Sequence, residues 1–436
     1  MLQTKLISLD GRPLLLAKPQ SNHYGHLALE IQVAISRARQ MGWDLFLIRD
    51  AAAVGPALYE FDTDAIRIVR PTAWNRFRIA CLTVVRDTWE SVRGFVRGLM
   101  SDAWNELAES MKISRRQADL PQSIRRALRD AEMRCRARAT PPSTLGPEDQ
   151  MFAADTYVAR RRLCEPLETR LAPEVLEQAR AEAAAVGVTD DMKLVAVHCR
   201  EDGYKTGRDT DSKGSLRVDA TRNARIETHF EAIDYLVGLG YTVVRVGDPS
   251  MTPVVRPGVI DLATHPKRTG LAELVCMFRS RFLICGESGP LNVSYLTNTP
   301  VAIVNSTCPI GGYPIRRDGF YMLKRVVNRA TRQPLSLREM LTVEYLNVVR
   351  DPTKFIYLDN SPDEILRAVK EMLDWCDGRY VETERQAAFR AYATAVSVAL
   401  RDKVRYVAKH GPDRGFLGEG RLFSFVAETQ FPPEAP

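Results

Sequence analysis

The sequence predicts an α/β protein of two lobes, each built on a parallel sheet. Its 436 residues exceed what one hydrophobic core usually supports, so two domains of roughly 150 to 200 residues are expected. Between Lys193 and Trp375, apolar strand-like runs alternate with helical patterns, as a parallel sheet with crossover helices requires. A similar strand, loop and helix pattern spans residues 13–41. We therefore predict two Rossmann-like lobes facing across a cleft, over 1–185 and 186–375, with a C-terminal helix and tail over 376–436 that pack back across them.

Composition places the chain among ordinary globular proteins. Apolar residues make up 45% and charged residues 26%. No apolar run approaches the roughly 18 residues that span a bilayer. Asp10, Arg12 and Pro13 interrupt the first apolar stretch, which differs from a secretory signal. We expect a cytoplasmic protein.

Cysteine usage indicates the redox compartment, and the net charge narrows the classes of partner. The eight cysteines are scattered, without a CxxC pair or zinc-site spacing, and this predicts buried thiols in a reducing compartment. The formal charge of +7 favours anionic partners such as phosphates, nucleic acid or an anionic membrane surface. Aromatic residues are only 8% of the chain and do not interleave with the basic stretch, so a nucleic-acid partner is not predicted.

The N-terminal lobe is predicted from short apolar runs and one βα unit. The helix of that unit covers Leu27 to Met41, and an amphipathic helix covers Arg86 to Met111. Residues 112–138 then carry nine basic and three acidic residues. A solvated helical surface is the simpler interpretation of this run, and peripheral contact with a membrane is the alternative. The predicted strands of this lobe are 13–18, 44–49 and 65–69.

The second lobe has the clearer pattern. Its apolar runs are short and bounded by polar or glycine residues, as buried strands of a parallel sheet are. The predicted strands are 193–200, 241–247, 258–262, 282–286 and 301–305. The predicted helices are 226–239, 271–278, 291–297 and 362–375, followed by a long helix over 381–409.

Two strand ends of this lobe carry candidate ligand-binding residues. His198 and Arg200 follow one strand two residues apart, so they lie on one face, and carboxyl ends of parallel strands are where open α/β sheets bind ligands. Ser288 and Gly289 follow another strand and precede a helix, whose N-terminus attracts phosphate. Each pattern also has a purely structural interpretation, a strand-end ion pair or an ordinary turn before a helix.

Together these segments resemble a family of bacterial GT-B glycosyltransferases, and more distantly the GT-B fucosyltransferases and the heptosyltransferases of lipopolysaccharide assembly. The resemblance covers roughly Leu194 to Ser306. It implies a GT-B fold and transfer of a sugar from a nucleotide-diphosphate sugar to a hydroxyl-bearing acceptor, which is a glycan, a lipid-linked molecule or a small molecule. The segments that carry it are 197–204, 222–233, 240–248, 258–261 and 282–305.

The resemblance also implies a donor site. Arg200 would contact the pyrophosphate and stabilise the leaving group, Ser288 and Gly289 would face a phosphate, and Asn305 would lie near the nucleotide. His198 matches the histidine of the fucosyltransferase His-x-Arg strand, but Glu201 replaces the second arginine of that pattern, so GDP-fucose is not predicted as the donor. The remaining donor-binding candidates are Tyr204, Lys205, Arg222, Arg245, Gly247 and Glu287.

Arg245 and two histidines raise separate questions. Arg245 lies inside an apolar strand and needs a partner, which is Asp248, Asp261 or the ligand. An inverting transferase needs a base for the acceptor hydroxyl, and His23 or His26 on the first βα loop would face the cleft. A histidine that caps the helix is the alternative, and the sequence does not choose between them.

Motif absences exclude other classes. Asp209-Thr-Asp211 lies in a Lys/Arg-rich loop rather than after an apolar strand, so neither a metal ion nor another cofactor is predicted. The sequence has no GxGxxG after these strands and no GxxxxGK[ST], which disfavours nicotinamide oxidoreductases and P-loop kinases. A non-catalytic nucleotide or nucleic-acid binding protein and a sugar-nucleotide epimerase on the same fold are the alternatives kept.

Overall fold

The computed structural model describes residues 3–19, 24–49, 53, 55–70, 72–83, 167–201, 220–309, 313–400, 403 and 419–431. These residues form an α/β fold, as predicted, with a three-stranded sheet near the N-terminus and a seven-stranded sheet farther along the chain. The helix predicted over 86–111 and the basic run over 112–138 lie outside them. Within the described part of the chain, no helix has the length and apolar character needed to cross a bilayer.

The N-terminal sheet is mixed. Strands β1 (Gln3–Leu9) and β2 (Arg12–Lys18) form an antiparallel hairpin. Its connecting residues, Asp10 and Gly11, have φ values of 53° and 75°, and positive φ at both positions is typical of the type I′ turn. The prediction that the first lobe has a parallel sheet is therefore wrong for β1, because a two-residue connection can join only antiparallel strands.

The predicted βα unit follows this hairpin. Helix α1 (Tyr24–Met41) joins β2 to β3 (Asp44–Leu47), which pairs parallel to β2. The strand predicted over 65–69 is reduced to one bridge between Leu45 and Ile68. Side chains alternate along β2, so that one face of the sheet packs on α1 and the other forms a separate small cluster. A short antiparallel pair, β4 (Phe61–Thr63) and β5 (Thr169–Leu171), completes this region.

The larger sheet is parallel throughout its seven described strands. Each strand predicted in the second lobe is present, and two further strands extend the sheet at one side. The strands are β6 (Lys193–His198), β7 (Tyr241–Arg245), β8 (Val259–Asp261), β9 (Ser280–Cys285), β10 (Val301–Ser306), β11 (Gly319–Leu323) and β14 (Arg421–Leu422). A separate antiparallel pair consists of β12 (Arg325–Asn328) and β13 (Phe355–Leu358).

Helices connect these strands. They include the predicted helices, with small shifts at the ends, and the predicted helix over 381–409 is described as far as Leu400. The helices are α2 (Pro173–Ala185), α3 (Phe230–Gly238), α4 (Gly270–Arg279), α5 (Gly289–Leu296), α6 (Leu337–Met340), α7 (Val343–Leu346), α8 (Pro362–Cys376), α9 (Glu384–Leu400) and α10 (Ser424–Gln430).

The order of the strands shows where the winding of the sheet reverses. Across the sheet the order is β8-β7-β6-β9-β10-β11-β14. The chain therefore moves outward from β6 to β8, returns to the other side of β6, and continues outward from β9. Ligands of open α/β sheets bind at the carboxyl ends of the strands where the winding reverses, which here is between β6 and β9.

The described tail, 419–431, joins the edge of this sheet. β14 pairs with β11, and the Arg421 guanidinium lies 4.7 Å from the centre of the Trp375 ring. Four of the six described cysteines are buried free thiols, as predicted, but Cys81 is exposed and Cys376 is partly exposed. The apolar core of the sheet is continuous with the α1 side of the N-terminal sheet.

Candidate functional site

Five parallel strands end side by side at the carboxyl edge of the large sheet. The strands are parallel, so the residues that follow them lie along one edge. The residues concerned are His198 at β6, Gly247 after β7, Glu287 and Ser288 after β9, Asn305 in β10 and Lys324 after β11. We call the ends of β6 and β9, with the start of α5, the strand-end site.

A histidine–serine contact spans the reversal point of the sheet. Nε2 of His198 lies 2.9 Å from Oγ of Ser288, and Nδ1 lies 3.0 Å from the carbonyl oxygen of Val246. Burial lowers the pKa of His198 to about 4, so the ring is neutral at physiological pH. A carbonyl can only accept, and Nδ1 therefore carries the proton. Nε2 must then accept the hydroxyl hydrogen of Ser288.

Gly247 leaves room for this histidine. Its φ is +147°, and a Cβ placed there would lie 2.4 Å from Sδ of Met251 and 3.0 Å from Nδ1 of His198. Both the backbone conformation and the space therefore require glycine. The sequence predicted Gly247 as a donor-binding residue, and in the structure it packs against His198 and Met251.

The start of α5 lies at the strand-end site, where Gly289 carries an N–H, Pro290 has none, and the Leu291 N–H donates to the Ser288 carbonyl at 3.2 Å. Ser288 is the N-cap residue, but its side chain makes no capping bond because the hydroxyl points to His198. The first turn of α5 contains no acidic residue. The partial positive charge of the helix N-terminus is thus left without a carboxylate of the same turn.

The start of α1 packs directly against the start of α5. A Cβ on Gly25 would lie 2.7 Å from Cα of Gly289, and Nδ2 of Asn292 donates to the Gly25 carbonyl at 3.1 Å. The first turn of α1 also lacks acidic residues. The structure therefore brings His26, the residue after Gly25, to the same region as Gly289. His23 lies outside the described residues.

Glu287 is fully engaged inside the protein. Its carboxylate accepts from Ser306 Oγ at 2.8 Å, Thr307 Oγ1 at 2.7 Å and Cys308 N at 3.0 Å, and it pairs with Arg350 Nη2 at 2.8 Å. Burial opposes its ionisation, but the Arg350 charge and the hydroxyl donors hold its pKa below the usual value. Glu287 therefore ties the turn before α5 to the loop after β10.

The segment 221–225 lies at the strand ends and contacts several positively charged side chains. Arg222 Nη1 donates to the Glu287 carbonyl at 3.2 Å. The Asn223 side chain accepts from Arg200, and its carbonyl accepts from Nζ of Lys324. Lys324 is buried and pairs with Asp359 at 2.8 Å. Arg200, Arg222 and Lys324 are thereby held around Asn223.

Arg245 belongs to a buried ion-pair network. Its guanidinium is fully buried and pairs with Asp261 at 3.0 Å and with Glu201 at 2.7 Å. It also donates to the Thr252 carbonyl at 2.7 Å. Of the partners considered from the sequence, Asp261 is confirmed, and Glu201 is an addition. The described residues stop at Glu201 and resume at residue 220, so Tyr204 and Lys205 lie outside them.

Asn305 joins β10 to the segment before α8. Its backbone N–H donates to Oδ1 of Asn360 at 2.6 Å, and the Asn360 N–H donates to Oδ1 of Asn305 at 2.7 Å. Its φ of 55° is unusual for a residue other than glycine, and the paired bonds hold it there. Nδ2 of Asn305 is buried and has no hydrogen-bond partner among the described residues.

Comparisons with known proteins give limited similarity. No family model matches this chain, and no curated protein matches it. Among solved structures it is similar to a glycosyl transferase of family 9 from Veillonella parvula DSM 2008, with 18% sequence identity and a TM-score of 0.26. The match covers 36% of this chain and 42% of that one, so it spans less than half of the solved protein. A match of this extent establishes neither a common fold nor a common activity.

Proposed function

We propose that this protein transfers a sugar from a nucleotide-diphosphate sugar to a hydroxyl-bearing acceptor, in a GT-B arrangement of two lobes. The observation that carries the proposal is the contact between His198 and Ser288, because it lies at the reversal point of a parallel sheet and beside a helix N-terminus without a first-turn acid. That combination suits a phosphate-bearing ligand.

The proposed donor contacts follow from charge. A diphosphate leaving group accumulates negative charge as the sugar departs, and preorganised cations and N–H groups stabilise it. Arg200 and Arg222 would supply the cations, and the Gly289 N–H at the start of α5 would supply a further donor. The unused amide donor of Asn305 would suit an acceptor atom of the nucleotide, since a buried donor without a partner is costly.

The acceptor side is proposed at the start of α1. Gly25 and Gly289 are in contact, so a hydroxyl group held by the first turn of α1 would approach a donor held by α5. His26 is the proposed base within the described residues, and His23 is the alternative. A base near neutral pKa would take the hydroxyl proton as the bond to the sugar forms.

Turnover distinguishes this proposal from its alternatives. A non-catalytic nucleotide or nucleic-acid binding protein would hold phosphate without releasing any product. A sugar-nucleotide epimerase would alter the sugar but keep its bond to the diphosphate. Of these three classes, a transferase is the one whose net reaction, including slow hydrolysis of the donor by water, frees the nucleoside diphosphate.

The test is release of nucleoside diphosphate from UDP-, GDP-, dTDP- and ADP-sugars, with and without EDTA. We expect one nucleotide class to be turned over in the presence of EDTA, because no metal is proposed. Arg200→Ala should lower the rate by about 100-fold or more, as loss of one preorganised charge does. Arg180→Ala, on the exposed surface of α2, is the matched control. Equal rates for the two variants, or epimerised donor without free nucleotide, would contradict the proposal.

A further inference from the structure

A helix lies on the outer face of the N-terminal sheet. Residues 73–83 are helical, and Ile79 is buried in the cluster that contains Leu14, Leu16 and Phe46. These sheet residues point away from α1, because neighbours along a strand face opposite sides. Residues 73–83 therefore form an outer layer of this region.

The other side of this helix exposes two large aromatic residues. Trp74 is 65% exposed and Phe77 is 61% exposed, and their ring centres are 6.0 Å apart with an interplanar angle of 24°. Cys81 is also exposed. Positions 74, 77 and 81 share one helical face. We call these three residues the aromatic face.

The segment that bears the aromatic face is strongly basic. Residues 65–86 contain five arginines and no acidic residue. Some of this charge is neutralised, since Arg78 pairs with Asp10 and Arg70 with Glu174. A surplus remains, because Arg12 and Arg67 share Asp44.

Arg76 adds to this surplus. It is exposed and forms no ion pair with any described residue.

We propose that the aromatic face docks on an anionic lipid bilayer. Side-by-side Trp and Phe rings insert at the level of the lipid headgroups, and arginines beside them bind lipid phosphates. An exposed aromatic pair alone would suit a protein partner, and exposed arginines alone would suit any polyanion. The combination of both on one exposed helix matches an anionic bilayer, whose negatively charged headgroups cover an apolar interior. This goes beyond the sugar transfer proposed for the strand-end site and does not depend on it.

The test is co-sedimentation of the full chain with phosphatidylcholine vesicles, with and without about 30% phosphatidylglycerol, at about 0.1 M salt. We expect binding only to the anionic vesicles. The variant Trp74→Ser/Phe77→Ser should lower the partition coefficient by about tenfold or more, and Arg76→Glu should lower it several-fold. The matched control is Val255→Ser/Val381→Ser, which removes two apolar side chains exposed elsewhere.

Three outcomes would overturn the proposal. The first is equal binding to neutral and anionic vesicles, or none to either. The second is unchanged binding of the Trp74→Ser/Phe77→Ser variant while thermal melting shows it folded. The third is a wild-type dimer in light scattering that this variant turns into a monomer without any vesicle binding, which would assign the aromatic face to a second copy of the chain.

Discussion

The hydroxyl group of Tyr24, the first residue of α1, donates a 2.9 Å hydrogen bond to Oε1 of Glu273 on α4. The other carboxylate oxygen accepts from Arg268 at 3.0 Å, and Arg268 also donates to the Gly247 carbonyl at 2.9 Å. Burial raises the pKa of Tyr24 well above its usual value, so its hydroxyl remains a donor. A hydrogen-bonded chain thus runs from the start of α1 to the residue beside His198.

Tyr24→Phe removes only the hydroxyl group of this chain. We expect the free energy of unfolding to fall by about 1–2 kcal/mol, because Glu273 is buried and loses a donor. Urea denaturation measures the loss. Tyr235→Phe, at an exposed position on α3, is the matched control and should change stability by less than about 0.5 kcal/mol. Equal effects of the two variants would show that the Tyr24 bond contributes nothing.

Gly25→Ala tests the contact between α1 and α5. The new Cβ would lie 2.7 Å from Cα of Gly289, which forces the helices apart. We expect a loss of about 1–3 kcal/mol in urea denaturation, despite the better helix propensity of alanine. Gly238→Ala is the control, since a Cβ there meets nothing within 4 Å. If both variants are as stable as wild type, the helices are not in close contact.

The pH dependence of stability reports on two buried histidines, His198 and His229, because burial lowers the pKa of each to about 4. The unfolded chain protonates histidine near pH 6.5. The unfolded state therefore binds more protons between these values, and stability falls as the pH is lowered through that window. The contribution of each histidine is on the order of 3 kcal/mol.

His198→Gln should remove the His198 contribution to this decline in urea titrations between about pH 4 and pH 6.5. His265→Gln, in the partly exposed turn after β8, should keep it. A decline of the same size in His198→Gln and wild type would mean that folding does not lower the pKa of His198, and the neutral ring from which the direction of the Ser288 bond is derived would lose its support.

Arg350→Ala leaves Glu287 without its ion-pair partner. Glu287 keeps three other donors, so we expect a loss of about 2–4 kcal/mol rather than complete unfolding. Urea denaturation with Arg180→Ala as the control separates a buried pair from an exposed one. A loss as small as that of Arg180→Ala would mean that the ion pair between Glu287 and Arg350 stabilises the protein no more than a solvent-exposed pair does.

Much of the large sheet could be predicted from the sequence because its strands are buried on both faces. Such strands appear as continuous apolar runs, and β6, β7, β9 and β10 do so. The N-terminal hairpin was missed although Asp10-Gly11 between two apolar runs is a hairpin signal. β14 has two residues and pairs with β11 about a hundred positions away, which no local pattern indicates.

The candidate site could be predicted only at its strand ends. His198, Ser288 and Gly289 follow recognisable runs, and their closeness follows from parallel pairing. Lys324 and Arg350 were missed because their partners lie 35 to 101 residues away along the chain. The role of Glu287 could not be inferred for the same reason, since its bonds reach across two loops.

Nucleoside diphosphate binding tests the central claim most directly. We expect one of GDP, UDP, dTDP or ADP to raise the melting temperature of the wild-type protein without added metal, because a ligand that binds only the folded state stabilises it. Arg200→Ala should lose that shift, while Arg180→Ala should keep it. If none of these nucleotides shifts the melting temperature at about millimolar concentration, or if Arg200→Ala responds like wild type, the strand-end site does not bind the diphosphate and the proposed sugar transfer loses its basis.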